Sequence, residues 1–380
     1  MEVINIAVIG AGVVGLAVAA QMSKECEGVY VFEKNDKIGQ ETSSHNSGVI
    51  HSGIHYPPGT LKAKLCVEGN TMLYGICKKR GIPYKKLGKL TVALKEEEEI
   101  KELEHLIRQG KANGVPDLEF LDRDQVKKLE PNVQVEKALY SPSSGILEPD
   151  ELMNYFYAEA RRNDAFFATK TEVIKIKKTK DCYELEGTSV GENFTVAART
   201  VINCSGLHSD KTAAMAGLDI DKLGYRLHLC KGDYYRLGGQ PPVKMLVYPL
   251  PKGGGLGIHL TPDMAGSIRL GPNAYYVDTI DYAVTANEKE FIEDIARLMP
   301  LIRQRRIRPD SSGIRPKLQG PSDSFRDFII KHEADNGLHS LINLIGIESP
   351  GLTAAPAIAR LVAEIYRDEI SYKKKPEKGE

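Results

Sequence analysis

The feature that most narrows the fold is Gly10-Ala-Gly12-Val-Val-Gly15, set directly after an apolar strand pattern at residues 4–9 and directly before a helical pattern at 12–24. A second strand pattern at 29–33 ends on Glu33, about 20 residues further on, which completes a βαβ unit with a dinucleotide-binding fingerprint. Each part of the motif has its own task. Gly10 permits a tight turn, Gly12 lets backbone N–H groups approach a pyrophosphate at a helix N-terminus, and Gly15 allows the helix to pack closely on the strand. Glu33 can accept hydrogen bonds from both ribose hydroxyls, while its charge disfavours a 2′-phosphate. The expected ligand is an ADP-containing dinucleotide other than NADP.

FAD and NAD share this fingerprint, so other segments must decide between them. An NAD enzyme would continue with further βα units after Glu33, whereas residues 34–58 form a long irregular stretch rich in Ser, His, Gly and Asn. Two later pieces also suit a flavin. The strand pattern at 201–203 runs into the tight turn Cys204-Ser-Gly206, and Gly346-Ile-Glu-Ser-Pro-Gly351-Leu-Thr353 feeds a closing helix at 354–366. A helix dipole aimed at the flavin pyrimidine would stabilise the negative charge that develops near N1 on reduction. The reading favours FAD.

Between these ends the patterns are mixed. Helices are expected at 61–79, 96–111 and, after Pro149 in a first turn, at 150–162; a strand is expected at 90–94. Residues 171–202 alternate with period two, as a small antiparallel meander would, and 225–316 read as mainly β with turns such as Pro251-Lys-Gly-Gly-Gly255 and one helix near 287–298. Glu96-Glu-Glu-Glu99 reads as the solvated first turn of a helix and not as a metal site.

Composition excludes several classes. The 51 basic and 51 acidic residues cancel, and Arg303-Gln-Arg-Arg306 is short and lacks interleaved aromatics, so a nucleic-acid partner is not expected. The six cysteines form no C-x-x-C pair and no zinc or iron–sulfur spacing, so reduced structural thiols and no metal are expected. No apolar run reaches the roughly 20 residues of a spanning helix. A strand pattern that opens at Val3 without a signal-peptide pattern points to the cytoplasm, with peripheral contact at the inner face of the membrane left open, and 372–380 reads as a solvated tail.

At this level the chain resembles the D-amino-acid-oxidase-like FAD oxidoreductases and, within them, the L-2-hydroxyglutarate dehydrogenase/oxidase family. The likeness is carried by Ser43-Ser-His-Asn-Ser-Gly-Val-Ile-His-Ser-Gly-Ile-His-Tyr56, Leu61-Lys-Ala-Lys-Leu-Cys66, Lys231-Gly-Asp-Tyr234, Gly257-Ile-His-Leu-Thr-Pro262 and Gly271-Pro-Asn-Ala274. It implies an α/β chain with α+β elements: a Rossmann-like FAD-binding domain built from discontinuous segments (1–90, 148–224 and 312–380) and a mainly β-sheet substrate domain (91–147 and 225–311). The implied reaction oxidises L-2-hydroxyglutarate to 2-oxoglutarate and passes electrons to oxygen, a quinone or another redox protein. Alternatives on the same scaffold are a glycerol-3-phosphate dehydrogenase, an amino-acid oxidase, or the flavin subunit of a larger electron-transfer complex. The glycerol-3-phosphate group usually carries Arg where this chain has His55.

The resemblance also implies site residues. For FAD these are Gly10, Gly12, Val13, Val14 and Gly15 in the first turn, Glu33 and Lys34 after the second strand, and Ser43, Ser44, Asn46, Ser47 and Gly48 in the irregular stretch. Val173, Cys204, Ser205, Gly206, Gly313, Gly351, Leu352 and Thr353 complete that set. His51 is the first choice to take the hydroxyl proton, His259 the second, and Arg315 would fork onto a carboxylate. His55, Tyr56, Lys231, Tyr248 and Lys317 are the remaining substrate-binding candidates. A noncovalent flavin is the default, with His45 and Cys66 as conceivable attachment points, and homo-oligomerisation is left open.

Overall fold

The computed structural model describes residues 3–94, 97–250 and 257–371. The Pro251–Gly255 turn, Glu96 and the 372–380 tail of the sequence reading lie outside the described residues. The chain divides into two compact units: one of Met1–Ser44, Asp150–His228 and Pro316–Glu380, and one of His45–Pro149 and Leu229–Arg315.

The first unit is built on an eight-stranded sheet. Its centre is parallel. Val3–Ile9 lies between Glu192–Asn203 and Val29–Phe32, Phe166–Ala168 extends one side, and Leu341–Ile345 extends the other. Parallel strands buried on both faces read as continuous apolar runs, and Ile4, Ala7, Ile9, Phe32, Val201, Leu341 and Ile345 share one core. The antiparallel meander forms as its period predicts, from Thr171–Lys178, Tyr183–Ser189 and the first half of Glu192–Asn203, with a register shift after Val173. This order aims the C-terminal ends of four parallel strands at one edge of the sheet, so Gly10, Glu33, Cys204 and Gly346 each follow a strand there. The helices Val13–Met22 and Gly351–Ile365 pack on each other. The closing helix starts at Gly351 rather than at 354, because the Ala354 amide already bonds the Pro350 carbonyl at 2.9 Å. Leu352 and Thr353 therefore belong to its first turn.

The second unit centres on a nine-stranded sheet in which Lys89–Ala93 runs parallel to Leu246–Pro249 and antiparallel to Lys137–Ser141. That pairing draws 45–90 into this unit, although the sequence reading grouped it with the nucleotide-binding segments. Alternation divides the strand Lys89–Ala93. Leu90 and Val92 enter the main core with Val247 and Leu260, and Ala93 faces a second core with Ile54 and Leu103. Lys89 and Thr91 point the same way as Ala93.

One surface reading needs correction. Glu99 is not a solvated helix residue: its carboxylate accepts from the Leu94 amide at 2.6 Å, lies 3.8 Å from Arg297, and is 8% exposed. Within the 303–306 run, Arg303 pairs with Glu293 and Arg305 donates to the Gly238 and Gln240 carbonyls, so these cations serve the fold. Among the described residues no helix is long and apolar enough to cross a membrane, and no cluster of His, Cys, Asp or Glu could hold a metal ion.

Candidate active site

The first unit carries the nucleotide cradle. Gly10 has φ +99°, and a Cβ there would lie 2.6 Å from the Cys204 carbonyl oxygen; one on Gly15 would lie 2.0 Å from the Gly10 oxygen. Only glycine lets the turn, the Cys204 strand end and the helix approach this closely. The Val13 amide donates to Ser43 Oγ at 2.9 Å, and a Cβ on Gly12 would meet that same oxygen at 2.8 Å. Gly12 thus leaves the start of the helix free of a side chain, as close approach of an anionic pyrophosphate requires.

Glu33 is buried at the end of its strand, with Oε2 accepting from the Ala11 amide and Oε1 from the Asn35 amide, each at 2.8 Å. A carboxylate has further lone pairs, so this clamp shapes the turn and still suits ribose hydroxyls. Lys34, a candidate at the nucleotide, is placed in a triad: its Nζ lies 2.7 Å from both His208 Nε2 and Glu41 Oε1. Burial alone would raise the Glu41 carboxyl, but hydrogen bonds from His208 and Lys34, with the Lys34 charge, hold it down at about 2. The triad ties the segment bearing Ser43 and Ser44 to the turn after Cys204.

That turn is held from beneath by a buried polar network. Ser205 Oγ donates to Asn203 Oδ1 at 2.6 Å, Asn203 Nδ2 to Asn343 Oδ1 at 2.8 Å, and Asn343 Nδ2 to Glu333 Oε1 at 2.9 Å. Together Cys204, Ser205, Gly206 and the start of the Gly351 helix stand on a fixed base at the strand ends. Cys204 itself is a buried thiol whose pKa burial pushes well up.

The remaining flavin candidates, Asn46, Ser47, Gly48 and Gly313, belong to the second unit. Asn46 Oδ1 accepts from the Gly48 amide at 2.8 Å, and Gly48, at φ +64°, leaves no room for a Cβ, which would lie 2.6 Å from the Leu147 oxygen. Arg269 donates to the Asn46 carbonyl at 2.9 Å while also holding Asp310 at 2.8 Å. A Cβ on Gly313 would lie 2.4 Å from the His45 oxygen, so this strand and the 45–48 turn touch backbone to backbone.

The second unit also gathers the candidate catalytic side chains. Burial first, then the charges of Lys89 and Arg315, lower the His51 pKa to about 3. His55 is held well below its ordinary value by burial, Lys89, His51 and His259. His259 stacks on the Tyr248 ring with centroids 3.5 Å apart. Burial, the largest influence, raises the Tyr248 phenol, and the Arg315 charge acts on it in the opposite sense. His51, His55, Tyr248, His259 and Arg315 thus form one cluster. Lys231 does not join it: its ammonium donates to the Ala283 carbonyl at 2.6 Å and lies 3.6 Å from Asp281. Lys317 falls in the first unit, and the Tyr56 carbonyl accepts from Asn113 at 2.8 Å.

The sequence reading missed the residues that hold this cluster. Lys89, 1% exposed, sits 3.2 Å from His55 Nε2 and 5.1 Å from the Tyr248 ring centroid. Asn70 donates to the His51 carbonyl at 2.9 Å, and the Cys66 thiol to the same oxygen at 3.6 Å. Cys66 and Asn70 are four apart on the helix Leu61–Arg80, so both face the loop. From the other side Gln109 holds the Ile54 carbonyl at 2.8 Å and Asn113 the Gly53 carbonyl at 3.0 Å. Polar side chains at helical spacing within otherwise apolar faces were the available signal. Burial pushes the Cys66 thiol up to about 12, which makes it a hydrogen-bond donor rather than a nucleophile for flavin attachment.

Comparison with known proteins identifies the family. A family model described as DAO, FAD dependent oxidoreductase, matches residues 5–365. The mitochondrial L-2-hydroxyglutarate dehydrogenase of Arabidopsis thaliana is 36% identical over 406 residues, covering 96% of this chain and 84% of that protein. A glycerol 3-phosphate dehydrogenase of Caloramator mitchellensis is 32% identical over 373 residues, covering 96% of this chain and 74% of the other. Among solved structures, dithionite-reduced L-alpha-glycerophosphate oxidase of Mycoplasma pneumoniae with FAD bound superposes with a TM-score of 0.83 at 27% identity, covering 97% of this chain and 95% of that one. A glycine-lined turn at a helix N-terminus, an acid at the next strand end and a match over nearly the whole chain agree: the protein belongs to the DAO family of FAD-dependent oxidoreductases.

Proposed function

We propose that this flavoenzyme oxidises the C2 hydroxyl of L-2-hydroxyglutarate to yield 2-oxoglutarate. The observation that carries the reading is the grouping of unprotonated His51 with the cations Lys89 and Arg315. A 2-hydroxy acid presents a carboxylate beside the hydroxyl, so its oxidation needs a cation to fix the acid and a base to take the proton. Arg315 offers the planar fork that suits a carboxylate. Bound FAD supplies the hydride acceptor. One hydride and one proton leave the alcohol, and His51 takes the proton, while His259 and Tyr248 stack on each other within the same cluster.

The Arabidopsis relative's name supports this substrate. The Caloramator relative's name supports glycerol 3-phosphate, a reading that His55 weakens because that group usually carries Arg there. Anaerobic mixing decides between them. L-2-hydroxyglutarate should bleach the flavin band of the purified holoprotein, and His51→Ala should slow that reduction by at least about 100-fold. Arg315→Lys should weaken binding of the diacid at unchanged flavin content. A near-normal rate in His51→Ala would remove the base assignment. Bleaching by glycerol 3-phosphate or an amino acid in place of the diacid would move the substrate, and no bleaching by any of them without a partner protein would indicate a flavin subunit.

A further inference from the structure

Lys89 belongs to this grouping but is assigned no proton, hydride or carboxylate in the reaction as written, and it sits against His55 and Tyr248 within the cluster. Three elements surround it. The loop bearing His51 and His55 covers it, with Nζ 3.2 Å from His55 Nε2; the helix Leu61–Arg80 brings Cys66; and the strand Leu246–Pro249 lays Tyr248 5.1 Å from the ammonium, with His259 stacked behind that ring. Arg315, on the strand Ile307–Lys317, adds a second cation whose charge acts on His51. Burial is the main influence on Lys89; the Cys66 thiol beside it, protonated up to about pH 12, offers no standing counter-charge, and among the described residues no carboxylate is an influence on it. An ammonium enclosed without a counter-ion is costly, and such groups belong to functional sites more often than to cores.

We propose that Lys89 is a positioning residue: its ammonium donates to His55 Nε2, fixes the tautomer of that ring, and is the cluster's internal positive charge, which leaves His51 as the unprotonated base. An ammonium has only donors, so the contact at 3.2 Å requires a lone pair on His55 Nε2 and places the ring proton on Nδ1. With that ring fixed and one positive charge already enclosed, a second proton on His51 or His55 meets like charge as well as loss of water. The low pKa values of both histidines, and that of Lys89 at about 8, agree with this order of protonation. Below about pH 8 the ammonium persists and the imidazoles stay neutral. The inference rests on the proposed alcohol oxidation for its purpose, but not for its physics.

Lys89→Met, with Lys89→Arg as the charge-retaining control, separates the two. In the FAD-loaded wild type, NMR of labelled histidine should show the His51 and His55 rings neutral down to pH 5.5, with His55 protonated on Nδ1. Lys89→Met should bring at least one of these rings into titration between pH 5.5 and 7.5, a shift of more than one pH unit, and Lys89→Arg should restore neutrality. Flavin reduction, flat over that range in the wild type, should gain an acid limb in Lys89→Met, with at least a tenfold loss at pH 6 and little loss at pH 8. Unchanged ring titration in Lys89→Met would overturn the proposal whatever the substrate. Shifted titration without reduction by L-2-hydroxyglutarate in any of the proteins would retain it and reject the substrate. Lys89→Gln carries the same comparison if the Met variant does not fold.

Discussion

Lys89 places a cost on the fold that the reaction alone would explain. Its pKa falls from 10.5 to about 8, chiefly through burial. The folded state therefore releases this proton before the unfolded state does, and the penalty of enclosing the charge is fully present below pH 8. Between pH 8 and 10.5 the unfolded chain holds the proton that the folded chain has lost, so stability rises with pH there, by on the order of 3 kcal/mol at most. Lys89→Met should unfold at higher urea than the wild type at pH 7.5, and the difference should shrink by pH 10. An equal or lower midpoint at pH 7.5 would show that Lys89 is compensated. His51 acts with the same sign in a lower pH window. Neutral in the fold and protonated in the unfolded chain, it takes stability away as pH falls below 6.5 toward 3. His51 and His55 could be named from the sequence because a motif carries them, and Arg315 because the resemblance implies it. Lys89 could not: it borders the strand expected at 90–94, where a lysine reads as a solvated flank, and only sheet register shows it enclosed.

At the scale of elements, local pattern predicted what local forces determine. The strand Val3–Ile9, the helix Val13–Met22 and the strand Val29–Phe32 appear within a few residues of their expected bounds, since glycine turn, apolar run and helix start coincide there. What pattern could not show is how separate elements fix one loop. Residues 51–56 carry four irregular carbonyls held by Asn70 and Gln109 from two helices and by Asn113 just past the end of the second, a pairing that no spacing along the chain announces. Asn70 also reaches the Ser143 carbonyl at 2.9 Å, so one amide group serves two buried acceptors. Asn70→Ala should cost about 1–3 kcal/mol, because both carbonyls lose a partner in a buried setting. Its larger effect should fall on the rate of flavin reduction, through a displaced His51 backbone, with FAD content unchanged. A variant with wild-type stability and rate would mean that the Cys66 thiol alone suffices to hold the loop.

Over the whole molecule, the two units are assembled from alternating stretches of chain, and this is where sequence reading lost most. Residues 45–90 follow the nucleotide motif directly, yet their strand Lys89–Ala93 pairs in parallel with Leu246–Pro249, more than 150 positions away. Parallel partners need long connections, so neighbouring sequence carries no trace of them. The same organisation makes a distinct prediction for the cofactor. The residues proposed to hold it most specifically, Gly10 to Gly15, Glu33 and Ser43, all lie in the first unit. Binding to the folded state stabilises it by about 2.7 kcal/mol when free FAD is 100 times its Kd. Apoprotein titrated with FAD should therefore gain thermal stability, and hydrogen exchange should slow first at the amides of 10–16, 41–44 and 203–208. Gly15→Ala should remove both effects, because a Cβ 2.0 Å from the Gly10 oxygen must push the helix N-terminus away from the turn. The histidine cluster of the second unit should keep its ring titration in that variant, since the Lys89–His55 contact and the Asn70 bond to the His51 carbonyl lie within that unit. Loss of that titration along with FAD binding would show that the cluster relies on the loaded cradle and that the two units do not order independently.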